Sequence, residues 1–296
     1  MRRILTLVVA VLFGLSTVVL TTIAGTRHGL AAVEIHKVDE GHFLPVPGQP
    51  VFLLALGVDG RPGLDGDRAD AIHLIGVNPA SGAGTILNFP RDSFVEIPGR
   101  GRSRINDAFF YGGAQLQADT VERLTGIRPS FVLTTGFPGL EGLVNDLGGL
   151  DVDVPIAMKD KNSGANFAKG PLRMDGRQAL AFSRNRYIPD GDLRRTEHQG
   201  LLILSALTKV RAENPGPAAT LRYLAVLARH VRFTNVGLVE LYRLGRLGLQ
   251  VDPAKMRNVT LPSSLGLAGA KSVVFVAPAA AGLFADLRDD AVLQTH

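Results

Sequence analysis

Apolar positions along this 296-residue chain follow two rhythms. In the first half they come as short, close-set runs bounded by Gly, Pro or Asp, the pattern of strands separated by turns. The run "VFLLALGV" at 51–58 has no polar position, which predicts a central strand covered on both faces. Further strands are predicted at "AIHLIGV", at "TILNF" where Pro90 ends the ladder, at "FVEI" and at "SFVLTTGF". Extended structure returns at "VDVPI". A helix is predicted over 116–124, with Gly126 suited to a left-handed cap, and another over 140–147, stopped by Gly148 and Gly149.

The second half turns helical. Asp175 opens "DGRQALAFSR", and the segment 196–214 sets Leu201, Leu202, Leu204, Leu207 and Val210 at helical spacing. That pattern continues over 217–231 and 236–249 before two short strands, 259–261 and 273–276. Strands and helices mixed in this order predict one α/β domain, a central mixed sheet covered by helices on both faces. No internal repeat or low-complexity tract interrupts it.

The amino terminus has a different character. Arg2 and Arg3 precede an uncharged run from Ile4 to Gly25. A helix of that run would be about 33 Å long, enough for a bilayer core. A cleaved signal peptide has a shorter apolar core, although "GLAAVE" around Ala31 offers a cleavage site for that alternative. The organisation expected is a membrane anchor at 1–25 with a short cytoplasmic end, a proline-bearing connector at 26–50 and one domain at 51–296. Basic residues on the short side place that side in the cytoplasm and the domain outside the cell membrane, in a single-pass topology.

Composition sharpens this picture. With 46% hydrophobic and 20% charged residues the chain can bury a core. The absence of cysteine excludes disulfides, thiolate metal sites and a cysteine nucleophile. Arg supplies 25 of the 32 basic residues. Compositional drift in the genome is one source of such a bias. The other is chemistry, because the planar guanidinium fork matches phosphate and carboxylate oxygens while Lys is a point charge. A net charge of +5 would permit nucleic acid as a partner, but the topology argues against it.

Candidate chemistry gathers where apolar runs end. Asp59 closes one strand and Asp70 immediately precedes the next, so neighbouring strands would bring both carboxylates to one sheet edge. Two hard oxygen ligands completed by water and phosphate suit Mg²⁺, and a solvated Asp/Gly turn is the plain alternative. Arg91 and Asp92 follow Pro90, where Arg91 either faces a ligand or pairs with Asp92. Arg100, Arg102 and Arg104 form a nearby charged loop. Arg184 and Arg186 share one face of an extended segment, and Asp192 and Arg195 open the next helix, where Asp192 also suits an N-cap. Guanidiniums this close repel one another unless an anion lies between them, and pyrophosphate is the anion that forked donors match best. No Ser–His–Asp arrangement and no phosphate-cradling P-loop is present.

Together these clusters resemble the LytR–CpsA–Psr family of membrane-anchored cell-wall assembly enzymes. The resemblance runs over about 51–206 through "LGVDGR", "GDRADAI", "NFPRDSFVEIPG", "RINDAFFYGG", "VERLTGI", "LVNDLGGLDVDVP", "MDGRQALAFSRNR" and "GDLRRTEHQ". It implies a Mg²⁺-dependent phosphotransferase that moves a glycopolymer from a polyprenyl-pyrophosphate carrier to peptidoglycan through a phosphodiester. By the same resemblance Asp59 and Asp70 hold the metal, and Arg91, Arg184, Arg186 and Arg195 contact the pyrophosphate. Asp192 belongs to that Arg-rich site, Arg104 and Gln199 bind substrate, and Asp92 is the candidate base. The lipid tail is expected in an apolar channel lined by helices of 196–250. Asn88, His198 and Gly200 depart from the family pattern, and His198 puts one basic contact in doubt. A pyrophosphate hydrolase and a non-enzymatic lipid-phosphate-binding regulator are the rival readings.

Overall fold

The computed structural model describes residues 33–41, 49–59, 67–187, 191–212 and 231–294. The expected anchor at 1–25, part of the connector, the loop 60–66 and most of the helical pattern at 217–231 lie outside these residues. In chain order the first strands are β1 (Val33–Lys37), β2 (Val51–Val58), β3 (Ala69–Val77) and β4 (Gly84–Asn88). A hairpin of β5 (Phe94–Ile97) and β6 (Gly101–Arg104) leads into helix α1 (Asp107–Thr125), followed by β7 (Phe131–Thr135) and α2 (Phe137–Asp146). Next come β8 (Leu150–Val154), β9 (Met158–Asp160), β10 (Ala165–Phe167) and β11 (Gly170–Met174), then α3 (Gly176–Arg184) and α4 (Gly191–Ala212). The chain closes with β12 (Val231–Thr234), α5 (Leu238–Gln250), β13 (Met256–Thr260), β14 (Ser263–Ala268), β15 (Lys271–Val276) and α6 (Ala280–Asp290).

The main sheet has the order β12-β1-β7-β2-β3-β4-β13. The pairs β1–β12, β2–β7 and β4–β13 are parallel, and β1–β7, β2–β3 and β3–β4 are antiparallel, so the sheet is mixed as expected. One face packs a dense core: Leu54, Leu56, Ile72, Leu74 and Leu87 meet Ala118 and Val121 of α1 and Phe284 and Leu287 of α6. The other face is covered by α4 and α5, through Leu207 and Leu247 against Ile35, Ile86 and Phe131. A smaller core joins α2, α3 and α4 to β8 and its neighbours.

Several segments differ from the sequence reading. Residues 33–37, assigned to the connector, form a strand inside the sheet between β12 and β7. Its sequence, VEIHK, alternates apolar with charged or polar residues inside a polar connector, so it lacks the apolar density that marks the other strands. Arg102 and Arg104 lie in β6, paired with β5, and not in a loop. The carboxy-terminal region supplies both edge strands of the sheet and the wall helix α5. Asp192 lies within the first turn of α4 instead of preceding it.

Gly126 caps α1 at φ 70° as expected, donating its N–H to the Glu122 carbonyl. The helix starts earlier than its hydrophobic pattern indicates and is broken by Gly112 and Gly113, the latter at φ 63°, ψ −152°. That conformation is open essentially to glycine alone.

Candidate active site

The α4/α5 face of the sheet is packed less tightly than the other. In β2, residues 52, 54, 56 and 58 are buried while 53, 55 and 57 are partly open. The uniform apolarity of "VFLLALGV" therefore has two causes, a solid core on one side and a cavity floor on the other. The cross-strand pairs Leu53–Ile75, Ala55–His73 and Gly57–Ala71 floor a cavity of about 950 Å³. This is near the upper end of ordinary small-molecule sites. Its walls come from Leu202, Ile203 and Leu207 of α4, Leu241 and Leu244 of α5, and Leu140 and Leu143 of α2. The helices expected to line an apolar channel do line this one.

Charge is concentrated at one end. Asp59, Asp70, Arg91, Arg184, Arg186, Arg195 and Gln199 all line the same cavity. The β2–β3 register sets Val58 opposite Ala69, which brings Asp59 and Asp70 to one sheet edge. Pro90 turns the chain out of β4, and Arg91 then donates from Nη1 to Asp70 Oδ1 at 2.7 Å. Its Nε lies 3.6 Å from Asp192 Oδ2 and 3.8 Å from Asp92 Oδ2. Burial works against the Arg91 charge, but Asp70, Asp192 and Asp92 outweigh it and raise the guanidinium above its ordinary value.

Asp192 is the hub of this end. Its Oδ2 accepts from Arg195 Nη2 at 3.0 Å, and its Oδ1 lies 3.3 Å from Arg186 Nε. Arg195 is only 3% exposed. Burial first, then the Arg186 and Arg91 charges, pull its pKa down to about 10 against the pull of Asp192. It remains a cation at neutral pH, and its buried Nε makes no hydrogen bond among the described residues. Arg184 projects over the Phe137 ring, 4.8 Å from its centroid, and has no ion pair among the described residues. Gln199 donates to the Ser183 carbonyl at 3.0 Å.

Asp92 and Arg104 stand one step back from the cavity lining. They pair with each other at 3.2 Å, and Arg104 also lies 4.0 Å from Asp107. The two readings of Arg91 and Asp92 thus merge, since Arg91 lines the cavity and also neighbours Asp92.

Other lining residues had no signal in the sequence. The tip of the β9–β10 hairpin brings Asp160, Asn162 and Ser163 to the cavity, and Tyr187 joins them. Burial pushes the Asp160 carboxyl up, but hydrogen bonds from Ser163, Asn162 and the Arg186 backbone outweigh it and hold the pKa low. A short polar hairpin looks like any surface turn until the chain is folded.

Beneath the site, His73 Nδ1 lies 2.7 Å from Asn88 Oδ1, Asn88 donates to Asn258 Oδ1 at 2.7 Å, and Asn258 donates to the Glu197 carbonyl at 3.1 Å. Gly200 lies over this network. A Cβ there would come 2.0 Å from Asn258 Oδ1 and 2.7 Å from Asn88 Oδ1. Two departures from the family pattern, Asn88 and Gly200, therefore meet in one contact: the carboxamides fill the space that a side chain at 200 would occupy. Gly200→Ala is expected to lower stability by about 1–3 kcal/mol as α4 is forced off the sheet. Thermal melting checks this, and Asn258→Ala in the same chain should recover part of the loss.

His73 and His198 are both buried. Burial lowers each to about 4; Arg195 adds to the effect at His73 while Asn88 opposes it, and Arg194 adds to it at His198. His198 stacks on Phe182 with ring centroids 5.0 Å apart, so it belongs to the core between α3 and α4 and supplies no cation to the rim. Both folded values lie below the unfolded value near 6.5. The stability they confer as neutral rings is complete above pH 6.5 and is lost as pH falls from 6.5 to 4. The loss for His73 amounts to about 3 kcal/mol. Denaturant midpoints across pH 4–7 measure it, and His73→Gln should flatten the slope.

Residues 25–284 match the LytR_cpsA_psr family profile. The match extends beyond the motif-bearing span on both sides. The polyisoprenyl-teichoic acid–peptidoglycan teichoic acid transferase TagU of Enterococcus faecalis is 36% identical over 170 residues, 56% of this chain and 55% of that protein. The chain thus spans about half the length of the curated relatives it matches. Among solved structures, Bacillus subtilis TagV is similar with a TM-score of 0.71 at 22% identity, over 84% of this chain and 100% of the other. The B. subtilis protein YwtF (TagT), solved with bound octaprenyl pyrophosphate lipid, has a TM-score of 0.63 at 21% identity, over 85% and 94% of the two chains. At those identities the likeness is one of fold.

Proposed function

This chain belongs to the LytR_cpsA_psr family, and on that premise we propose that it transfers a glycopolymer from a polyprenyl-pyrophosphate carrier to peptidoglycan by forming a phosphodiester. One observation carries the reading: a single cavity is apolar along its length and ringed at one end by guanidiniums and carboxylates drawn from distant parts of the chain. An isoprenoid tail fits the first part and a diphosphate the second. The names of the relatives, a teichoic acid transferase and a protein holding octaprenyl pyrophosphate, agree with that division.

In the reaction the acceptor hydroxyl oxygen attacks the phosphorus that bears the sugar. A new P–O bond forms, the bond to the second phosphate breaks, and polyprenyl monophosphate leaves with the bridging oxygen. Arg91, Arg184, Arg186 and Arg195 hold the phosphate oxygens where negative charge builds, a contribution that is usually the largest in such sites. Asp192 fixes the orientation of three of these forks before substrate arrives. Asp92, held between Arg91 and Arg104, takes the proton of the attacking hydroxyl. Gln199 and Arg104 complete the substrate contacts.

Asp59 and Asp70 fit Mg²⁺. They are two hard carboxylates brought to one sheet edge by the β2–β3 register, a partial set with no third acidic or imidazole side chain gathered beside it among the described residues. Mg²⁺ accepts such a partial set because it retains water and takes phosphate oxygens as ligands. When bound it supplies neutralisation of the diphosphate charge.

Among the described residues no helix is long and apolar enough to cross a membrane. The uncharged run at 4–25 is the segment we assign as anchor, which keeps the domain outside the cytoplasm within reach of a membrane-borne donor.

The test is transfer from a defined polyprenyl-pyrophosphate saccharide to peptidoglycan by the full chain, with and without Mg²⁺. Saccharide covalently linked to peptidoglycan is the expected product. Release of lipid phosphate at a rate indifferent to peptidoglycan would identify a hydrolase. Tight donor binding with no turnover would identify a regulator.

A further inference from the structure

Two neighbouring aromatic rings stand exposed at the start of α1. Phe110 and Tyr111 are 40% and 41% exposed, and their rings meet edge-on with centroids 5.3 Å apart. Arg68 lies over Phe110 at 5.0 Å and Arg100 over Tyr111 at 5.2 Å. Arg100 and its neighbour Arg102 have no ion pair among the described residues. Directly after the rings, Gly112 and Gly113 break the helix, Gly113 in a conformation that other residues do not tolerate. The break lets the 107–111 turn lie at an angle of its own while the rest of α1 packs on the core through Ala118 and Val121.

This cluster is continuous with the reaction centre. Asp92 pairs with Arg104, Arg104 approaches Asp107, and Asp107 accepts from Arg68 Nε at 3.0 Å. It also belongs to the α1 face of the sheet, whereas the lipid cavity belongs to the α4/α5 face. In-line phosphoryl transfer requires the attacking oxygen to enter opposite the leaving oxygen. With the leaving lipid phosphate on the cavity side, the acceptor must arrive from the α1 side.

We propose that Phe110 and Tyr111, with Arg68 and Arg100, form the docking subsite for the acceptor glycan, a carboxylate-bearing amino-sugar chain; this rests on the transfer reading above. The C–H faces of pyranose rings stack on aromatic rings, and a guanidinium fork matches a carboxylate of the peptide stems that the sugar chain carries. The rings therefore read the sugar backbone, and the arginines read its charge.

Titration of the full chain in detergent micelles with muramic-acid-containing fragments of peptidoglycan tests this directly. A neutral chitin oligosaccharide of equal length serves as control. Tyr111→Ala and Arg100→Ala, both at the surface, are each expected to weaken fragment binding about tenfold, or ~1.4 kcal/mol. The neutral oligosaccharide should bind more weakly, be sensitive to Tyr111→Ala and be indifferent to Arg100→Ala. Affinity for polyprenyl pyrophosphate, titrated separately, should not change in either variant. Equal fragment binding by wild type and both variants, or none by wild type, overturns the subsite. Absence of polyprenyl-pyrophosphate binding by the wild type would instead overturn the transfer reading, so the two failures are told apart.

Discussion

Replacing Arg91 by Ala should cut the transfer rate by roughly 10²–10³-fold, the loss of about 2.7–4 kcal/mol seen when a charge-stabilising donor is removed from an oxyanion site. Arg91 is the residue of choice because it faces both ways. On one side it lines the cavity where we propose the diphosphate binds, and toward the protein it neighbours Asp70, Asp92 and Asp192. Removing it withdraws a positive charge from the transition state and leaves three carboxylates without their common cation. Their mutual repulsion should also lower the melting temperature. Arg91→Lys separates the two effects, since it restores the charge but not the planar fork. Its melting temperature should recover most of the way while kcat stays at least tenfold below wild type. Single-turnover rates at saturating donor, with thermal melts of both variants, decide the matter. A kcat unchanged in Arg91→Ala would remove Arg91 from the chemistry.

The second large effect is expected at the carboxylate pair. Asp59→Asn and Asp70→Asn keep shape and remove charge, and each should lower Mg²⁺-dependent turnover by about 10²-fold or more if the metal neutralises the diphosphate. Binding of Mn²⁺ to the full chain with a pyrophosphate-bearing donor, followed by electron paramagnetic resonance, gives a readout independent of activity. Both variants should bind the ion more weakly. Asp70 carries a further role, because its Oδ1 accepts from Arg91 Nη1 at 2.7 Å. Asp70→Asn and Arg91→Ala should therefore combine non-additively, with a coupling of about 0.5–3 kcal/mol. Unaltered ion binding in both single variants would remove the metal assignment and leave the arginines to stabilise the charge alone.

Much of this site was legible through the family resemblance, whose motifs set Asp and Arg where apolar elements begin or end. Asp59, Asp70, Arg91, Arg184, Arg186 and Arg195 each follow or open an apolar element, and all of them line one cavity. The strands β2, β3, β4 and β7 were legible because their runs are densely apolar and bounded by turn residues. What escaped was short or polar: β1 inside the connector, the β5–β6 pairing around Arg102 and Arg104, and the β9–β10 tip that carries Asp160 to the rim.

The sequence by itself settled the alternation of apolar strands and helices, and it located clustered charge at their ends. Both are local properties, carried by neighbouring residues and by the period of the backbone. Only the tertiary structure decided that one sheet face is a filled core and the other the floor of a cavity, although both present the same apolar alphabet. The same is true of Asp192 holding Arg91, Arg186 and Arg195 at once, and of Gly200 yielding its space to Asn88 and Asn258. Those arrangements depend on contacts such as Asp192 with Arg91 and Gly200 with Asn88, between segments about a hundred residues apart, which packing fixes and no local pattern encodes.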